Sequence, residues 1–459
     1  MNKFEILIPE MNLENLMQDS VLMRNAKKPT TKDKILDRAA YLLHIIFNQL
    51  DKNREKDIDT DSVNLCSQLL EKAVYNYKDY LRHFESKNIL SLKKKHSNMG
   101  GSGYCRKYSI NPLLVEGKKR EYAIEESKVI KSVRSFNQEK GVKKKYSHLL
   151  KWQSQLKGPS RDSILELYEG DENRAVSQII NTERLLSQPE NWTYKTDKNG
   201  RLYTNFTNVS KTIRRQITLN GEHLIGIDIK SSIPTLSILL FHHELVENTP
   251  KLLELLIQSN PKRLSESAQR NNLLRSSTDW PPSVHKYIKE ILNGDIYEYM
   301  ARIWFKIGSA DSVPKNQRDK AKTALMKILN SPTKYHGCKA KMFEREFKVP
   351  YDTILKLNEG YYKTSKGKGK MKRGKNDLRC PFAMFFMSVE AWFVLDNVCA
   401  TLKREAPNCP ILPIHDAIYT THKYVNLVRK VFEDESQRLF GFRIKVKVES
   451  RKNTNQRAA

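Results

Sequence analysis

Two short apolar runs in this chain each close on an aspartate, and that pairing constrains the fold more than any other feature. The first is Leu224-Ile225-Gly226-Ile227-Asp228-Ile229, and the second is Ile411-Leu412-Pro413-Ile414-His415-Asp416-Ala417-Ile418-Tyr419. A brief, mostly apolar run rich in β-branched residues reads as a buried strand. Asp228 falls near a strand end with a helical stretch over residues 235–240 behind it, so the strand holds a carboxylate that emerges beyond the sheet. Residues 411–414 and 417–420 read as the arms of a tight strand–turn–strand whose tip is His415-Asp416. Alone, an aspartate that ends a strand reads more readily as a structural residue. Together, on neighbouring strands, they read as ligands for paired divalent cations, which in such sites lie about 3.5–4 Å apart. Hard Mg²⁺ prefers oxygen, so His415 suits a primer terminus better than a metal. A His-Asp pair on a helix would instead suggest a phosphohydrolase, but Pro413 and the β-branched flanks argue against a helix there.

Between the two aspartates lies a helical pattern that begins near Pro314 and stops before Pro332. Arg318, Lys322 and Met326 fall at i, i+4 and i+8 on one face. An arginine and a lysine one turn apart can clasp a triphosphate, with Met326 offering an apolar surface to a base. The plainer reading of a basic helix face is solvation. Upstream, Asp197-Lys198-Asn199-Gly200-Arg201 reads as an Asn-Gly turn into a strand, from which Arg201 either reaches a phosphate or simply stands exposed on a hairpin turn, and Arg214 and Arg215 follow.

Lys and Arg number 81 against 52 Asp and Glu, a formal charge of +29, which suits a polyanionic partner. The hydrophobic share of 39% supports packed domains, and 459 residues is long for one core. Six cysteines without a CxxC pair exclude a structural zinc site and a disulfide framework as readings, and fit a reducing cytosol. Met1-Asn2-Lys3-Phe4-Glu5 places an acid where a signal peptide needs an apolar run, and no apolar stretch approaches the ~20 residues of a membrane span. A soluble cytoplasmic protein with no membrane partner is expected.

Three segments are expected. Residues 1–115 read as helices over 30–84 followed by a basic, glycine-tipped hairpin: Lys93-Lys94-Lys95-His96, Gly100-Gly101-Ser102-Gly103, then Tyr104-Cys105-Arg106-Lys107. That order suggests either a winged helix, with Lys94, Lys95 and Arg106 on nucleic acid, or an ordinary hairpin on a helical domain. Residues 116–190 read as a basic connector and exposed helices with a thumb-like part, and 191–459 as mixed α/β carrying the candidate chemistry. The low-complexity run at 363–375 reads as a basic loop, free in solvent or touching a phosphate backbone.

Four features in this order (Asp197–Arg201 as DxxGR, the Asp228 strand, Arg318-x3-Lys322-x3-Met326, and the His415-Asp416 hairpin) resemble the motifs of the family A polymerase superfamily, which includes DNA polymerase I and the single-subunit phage-type RNA polymerases. The resemblance covers roughly residues 192–450. It implies an α+β right-hand fold, with an antiparallel palm sheet and helical fingers and thumb. It further implies two Mg²⁺ ions on Asp228 and Asp416, a triphosphate on Arg318 and Lys322, and a duplex against Arg201. The chain departs from the family at four positions. Asn330 and Ser331 stand where a tyrosine and a glycine are usual, Ile233 where many DNA polymerases have glutamate, and Ala417 where they have another. Ile233 and Asn330 therefore become candidates for selection of the sugar. Residues 1–190 carry no Asp-x-Glu pattern of an editing exonuclease. The expectation is a monomeric DNA-directed DNA polymerase from a phage or mobile element, acting on a DNA template-primer with dNTPs. The alternatives are an RNA polymerase or primase-like enzyme using NTPs, and a non-catalytic replication initiator.

Overall fold

The computed structural model describes residues 3–449, except 56–60, 68–69, 72–73, 95–105, 116, 267–269, 271–279, 331–336, 359–361, 365–370 and 374–379. The chain divides into two units, one formed by residues 1–195 and 203–223, the other by 196–202 and 224–459. Both mix helices with small antiparallel sheets.

In the first unit, Pro29–Glu55 is a long helix whose Leu42, Leu43 and Ile46 are fully buried. Strand Phe4–Pro9 pairs antiparallel with Lys119–Ile124, so part of the expected 116–190 connector is sheet rather than helix. Asp37 of the long helix accepts from the Tyr122 hydroxyl and the Glu125 amide, and Arg38 grips Glu126 through both its Nε and Nη2. These bonds give that strand a fixed partner and explain why its charged sequence orders.

The helical pattern read over residues 30–84 holds for Pro29–Glu55 and Tyr77–Ser86 but breaks at Ser62–Leu65, which is a strand. There Asn64 is exposed between buried Val63 and Leu65, and pairing with Arg106–Ile110 outweighs the helical spacing around the segment. The strand joins Arg106–Ile110 and Leu90–Lys94 in a three-stranded sheet with Arg106–Ile110 in the centre. The tip of that hairpin, including Lys95 and the glycines, lies outside the described residues. Helices Ser127–Asn137, Lys140–Leu150, Arg161–Leu167 and Glu172–Leu186 follow.

The second unit is built on a four-stranded antiparallel sheet in the order Leu412–Ile414, Ala417–Thr420, Ile225–Ile229, Val446–Val448. Gly226 is needed in this sheet, because a Cβ there would meet the Glu449 carboxyl carbon at 2.9 Å and the Tyr419 ring at 3.0 Å. Helices Ser232–Ser237, Ile296–Phe305, Lys315–Leu329 and Val425–Phe440 follow in chain order.

Pro381–Glu405 forms one continuous helical run, with Trp392–Val398 in π-helical form. By length and composition this run is apolar enough to cross a membrane, contrary to the expectation from sequence. Most of it is buried within the protein, with Phe382, Phe385, Phe386 and Phe393 at 0% exposure, as a core helix requires. The basic run at 363–375, expected as a loop, includes two short paired strands, Tyr362–Thr364 and Met371–Arg373.

Candidate active site

Asp228 lies one residue from the end of its strand, opposite Ala417 on one side and Lys447 on the other. The next amide, Ile229 N–H, donates to the Asp416 carbonyl at 3.0 Å. The turn carrying Asp416 is thereby latched to the strand carrying Asp228, and the two carboxyl groups are hydrogen-bonded to each other. His415 makes this turn possible by adopting a left-handed backbone, φ 52°, which is uncommon for a residue with a side chain. Burial pushes the Asp416 carboxyl above its ordinary value, opposed by Arg201, by the Asp228 hydrogen bond and by Lys322. Two acids set side by side at the end of a sheet form a site that a cation would stabilise.

The basic helix spans Lys315–Leu329 with Pro314 at its N-cap, close to the limits set by the two prolines. Arg318 does not point freely into solvent. Its Nη2 and Nε donate to one Asp295 oxygen at 2.8 and 3.2 Å, and the Lys230 amine lies 3.8 Å from that same oxygen. Asp295 also caps helix Ile296–Phe305, accepting from the amides of Tyr297 and Glu298. Burial by itself would lift the Asp295 carboxyl, but the hydrogen bond and charge of Arg318 hold it below its ordinary value. Arg318 and Lys322 both stand over the Tyr297 ring, at 5.4 and 5.8 Å from its centroid. Burial raises that phenol to about 12. Tyr297 thus forms the floor beneath the two cations.

Arg201 leaves the turn 196–202, where Gly200 takes φ 77° and Asp197 accepts from the amides of Asn199 and Arg201. The guanidinium is turned inward: Nη2 donates to Glu390 Oε1 at 2.5 Å. The other Glu390 oxygen accepts from the Ser232 hydroxyl at 2.6 Å. Burial, then the charge of Asp416, raises the Glu390 carboxyl to about 7 against the opposing pull of Arg201.

The second unit therefore brings together Asp228, Asp416, Arg201, Arg318 and Lys322. Met326 and Asn330 lie further along the same helix, both half-buried, and Asn330 Oδ1 has no hydrogen-bond partner among the described residues. Ser331 lies outside them. Ile233 is 8% exposed in helix Ser232–Ser237, every residue of which is buried. Arg214, Lys94 and Arg106 belong to the first unit. Arg214 donates to the Val209 carbonyl, and Lys94 and Arg106 are exposed on their strands.

Sequence reasoning missed Glu390, Asp295, Tyr297 and Lys230. A signal existed for two of them: Glu390 is the one acid in the apolar stretch 381–395, and Asn293-Gly294-Asp295 is a turn ending in a capping residue.

Among the described residues no group of three or more His, Cys, Asp and Glu is arranged to hold a metal. Two adjacent carboxylates still fit Mg²⁺, which commonly takes one or two protein carboxylates and completes its shell with water and substrate phosphate. The donor set is all oxygen, as that ion demands.

A scan against protein-family models finds no match, and a search of curated proteins finds none. Among solved structures, the chain is similar to the POL domain of Pol1 from M. smegmatis in complex with DNA primer-template and dNTP, at 13% identity and a TM-score of 0.37. The similarity covers 70% of this chain and 64% of that one, so the chain spans less than two thirds of that structure's length.

Proposed function

We propose that this chain is a template-directed nucleotidyl transferase that extends a DNA primer with dNTPs, a right-hand polymerase whose palm is the four-stranded sheet. The observation that carries the reading is the latch between Asp228 and Asp416. Two acids from distant parts of the sequence meet at one sheet end, with Lys322 close enough to act on Asp416.

In this reading Asp228 and Asp416 hold two Mg²⁺ ions, which when bound favour the ionised 3′-hydroxyl and offset charge on the leaving pyrophosphate. The remaining work falls to the chain itself. Arg318 and Lys322 receive the triphosphate one helical turn apart, above the Tyr297 ring, and neutralise charge that grows during transfer. The Asp295 carboxylate keeps Arg318 extended while no phosphate is present. His415, at the tip beside Asp416, holds the primer end in this reading. Arg201 lies beside the carboxylates and contacts the duplex with the donors that Glu390 leaves free.

The first unit supplies further affinity for nucleic acid. Its order of helix, strand, helix and hairpin, with the hairpin's second strand central in the sheet, supports a winged-helix reading in which Lys94, Lys95 and Arg106 meet phosphate. One observation favours NTPs as a second reading. The Asn330 carbonyl, unpartnered among the described residues at the end of the phosphate helix, is an acceptor that a 2′-hydroxyl would satisfy.

Primer extension decides among these readings. Wild-type protein with Mg²⁺, a labelled primer-template and dNTPs or NTPs in separate reactions should extend the primer with dNTPs. Preference for NTPs selects the RNA polymerase or primase-like alternative. No extension with either, together with tight duplex binding, selects the non-catalytic initiator.

A further inference from the structure

We propose that Glu390 is the positioning residue of this site, a buried clamp that keeps Arg201 off Asp416 so that the carboxylate pair stays open to a cation. The proposal rests on the polymerase reading for its activity measurement, but its metal-binding measurement does not.

A carboxylate at 1% exposure on an otherwise apolar core helix is costly unless every lone pair is used. Here both oxygens are engaged, one by Arg201 and one by Ser232. Ser232 opens the helix that directly follows the Asp228 strand, and Arg201 closes the turn 196–202. Glu390 therefore ties three separate segments to one point beside the acids. The π-helical segment starts two residues later at Trp392, the kind of register change that recurs where a helix must aim a particular side chain.

Arg201 is held incompletely. Its Nε has no hydrogen-bond partner among the described residues, and its charge acts on Asp416 as well as on Glu390. Without the Glu390 charge, Asp416 is left as an anionic group already within electrostatic reach of that guanidinium. An Arg201–Asp416 ion pair would occupy the carboxylate that the cation needs and withdraw the arginine from the primer-template. Glu390 thus decides between two partners for one arginine.

The test uses the full chain at about pH 8.5, above the Glu390 value of about 7, and the variants Glu390→Gln, Arg201→Ala and Glu390→Gln/Arg201→Ala. Glutamine keeps an acceptor for Arg201 and Ser232 but removes the charge. Mn²⁺ binding, read by electron paramagnetic resonance without DNA or nucleotide, should weaken about 3- to 10-fold in Glu390→Gln. It should return to the Arg201→Ala level in the double variant, because no guanidinium remains to block Asp416. Primer extension by Glu390→Gln should fall about 10- to 100-fold in kcat, with KM for dNTP changed by less than about 3-fold. A merely structural role would lower the folded fraction without this recovery of Mn²⁺ affinity on removal of Arg201.

Unchanged Mn²⁺ affinity in Glu390→Gln, or losses that multiply in the double variant, overturns the clamp, as does a wild type that binds no Mn²⁺. Wild-type Mn²⁺ binding without primer extension overturns the polymerase reading and leaves the clamp to be decided by the metal measurement. If Glu390→Gln does not fold, Ser232→Ala removes the second anchor alone. It should weaken Mn²⁺ binding in the same direction, and wild-type affinity in that variant overturns the proposal.

Discussion

Replacing Asp228 or Asp416 by alanine removes half of the proposed metal site while leaving the sheet that carries it. Each variant should lose primer extension by about 10³-fold or more, with duplex affinity within a few-fold of wild type, measured by gel extension and fluorescence anisotropy. Glu390 makes a separate prediction about pH. Its carboxyl, ordinarily near 4.5, is raised to about 7, so the folded protein keeps a proton that the unfolded chain releases over that window. A folded state that binds more protons loses stability as pH rises. Asp416, shifted in the same direction, adds to the slope. From pH 5 to 7.5 the melting temperature of wild type should therefore fall relative to that of Glu390→Gln, followed by differential scanning fluorimetry without divalent metal. Asp228, Asp416, Arg318 and Lys322 were legible in the sequence because strand ends and helical spacing place them. Glu390 and Asp295 were not, because their importance comes from partners far away in the chain. No local pattern announces that Arg201 and Ser232 will meet Glu390.

The elements follow the same division. The Asp228 strand, the His415-Asp416 hairpin and the Lys315–Leu329 helix were legible because their periodicity and their bounding prolines are local. Ser62–Leu65, and the pairing of Phe4–Pro9 with Lys119–Ile124, depend on strands brought together from distant segments, and short charged strands give weak signals of their own. The capped helix Ile296–Phe305 offers a test of how elements cooperate. Asp295→Asn keeps a competent cap but removes the charge that orients Arg318. KM for nucleotide should rise about 3- to 10-fold with a melting temperature near that of wild type; a lower KM would mean that Asp295 competes with the triphosphate instead. Helix Ser232–Ser237 offers another. Ile233 is buried, so Ile233→Ala should cost about 2–5 kcal/mol of stability, checked by chemical denaturation. If the side chain also crowds the sugar, NTP incorporation should rise relative to dNTP incorporation in the same variant.

At the scale of the whole molecule, the formal charge of +29 predicts binding to nucleic acid that weakens with salt. Deleting residues 1–115 is a poor test of the first unit, because it strips Phe4–Pro9 from its partner strand. Lys94→Ala/Arg106→Ala/Lys107→Ala leaves that pairing alone. It should reduce the slope of log affinity against log salt by about 0.9 for each phosphate that is no longer neutralised, as read by anisotropy from about 50 to 300 mM salt. The order in which the chain visits its two units has a consequence of another kind. The chain enters the second unit for residues 196–202, returns to the first for 203–223, and re-enters the second at 224. No single crossover between two genes can therefore exchange the units whole. A recombinant joined anywhere between 203 and 224 inherits Arg201 from one parent and Glu390 from the other. Natural exchange among relatives would keep that pair only where both parents already carry it, so the two positions are expected to vary together or not at all.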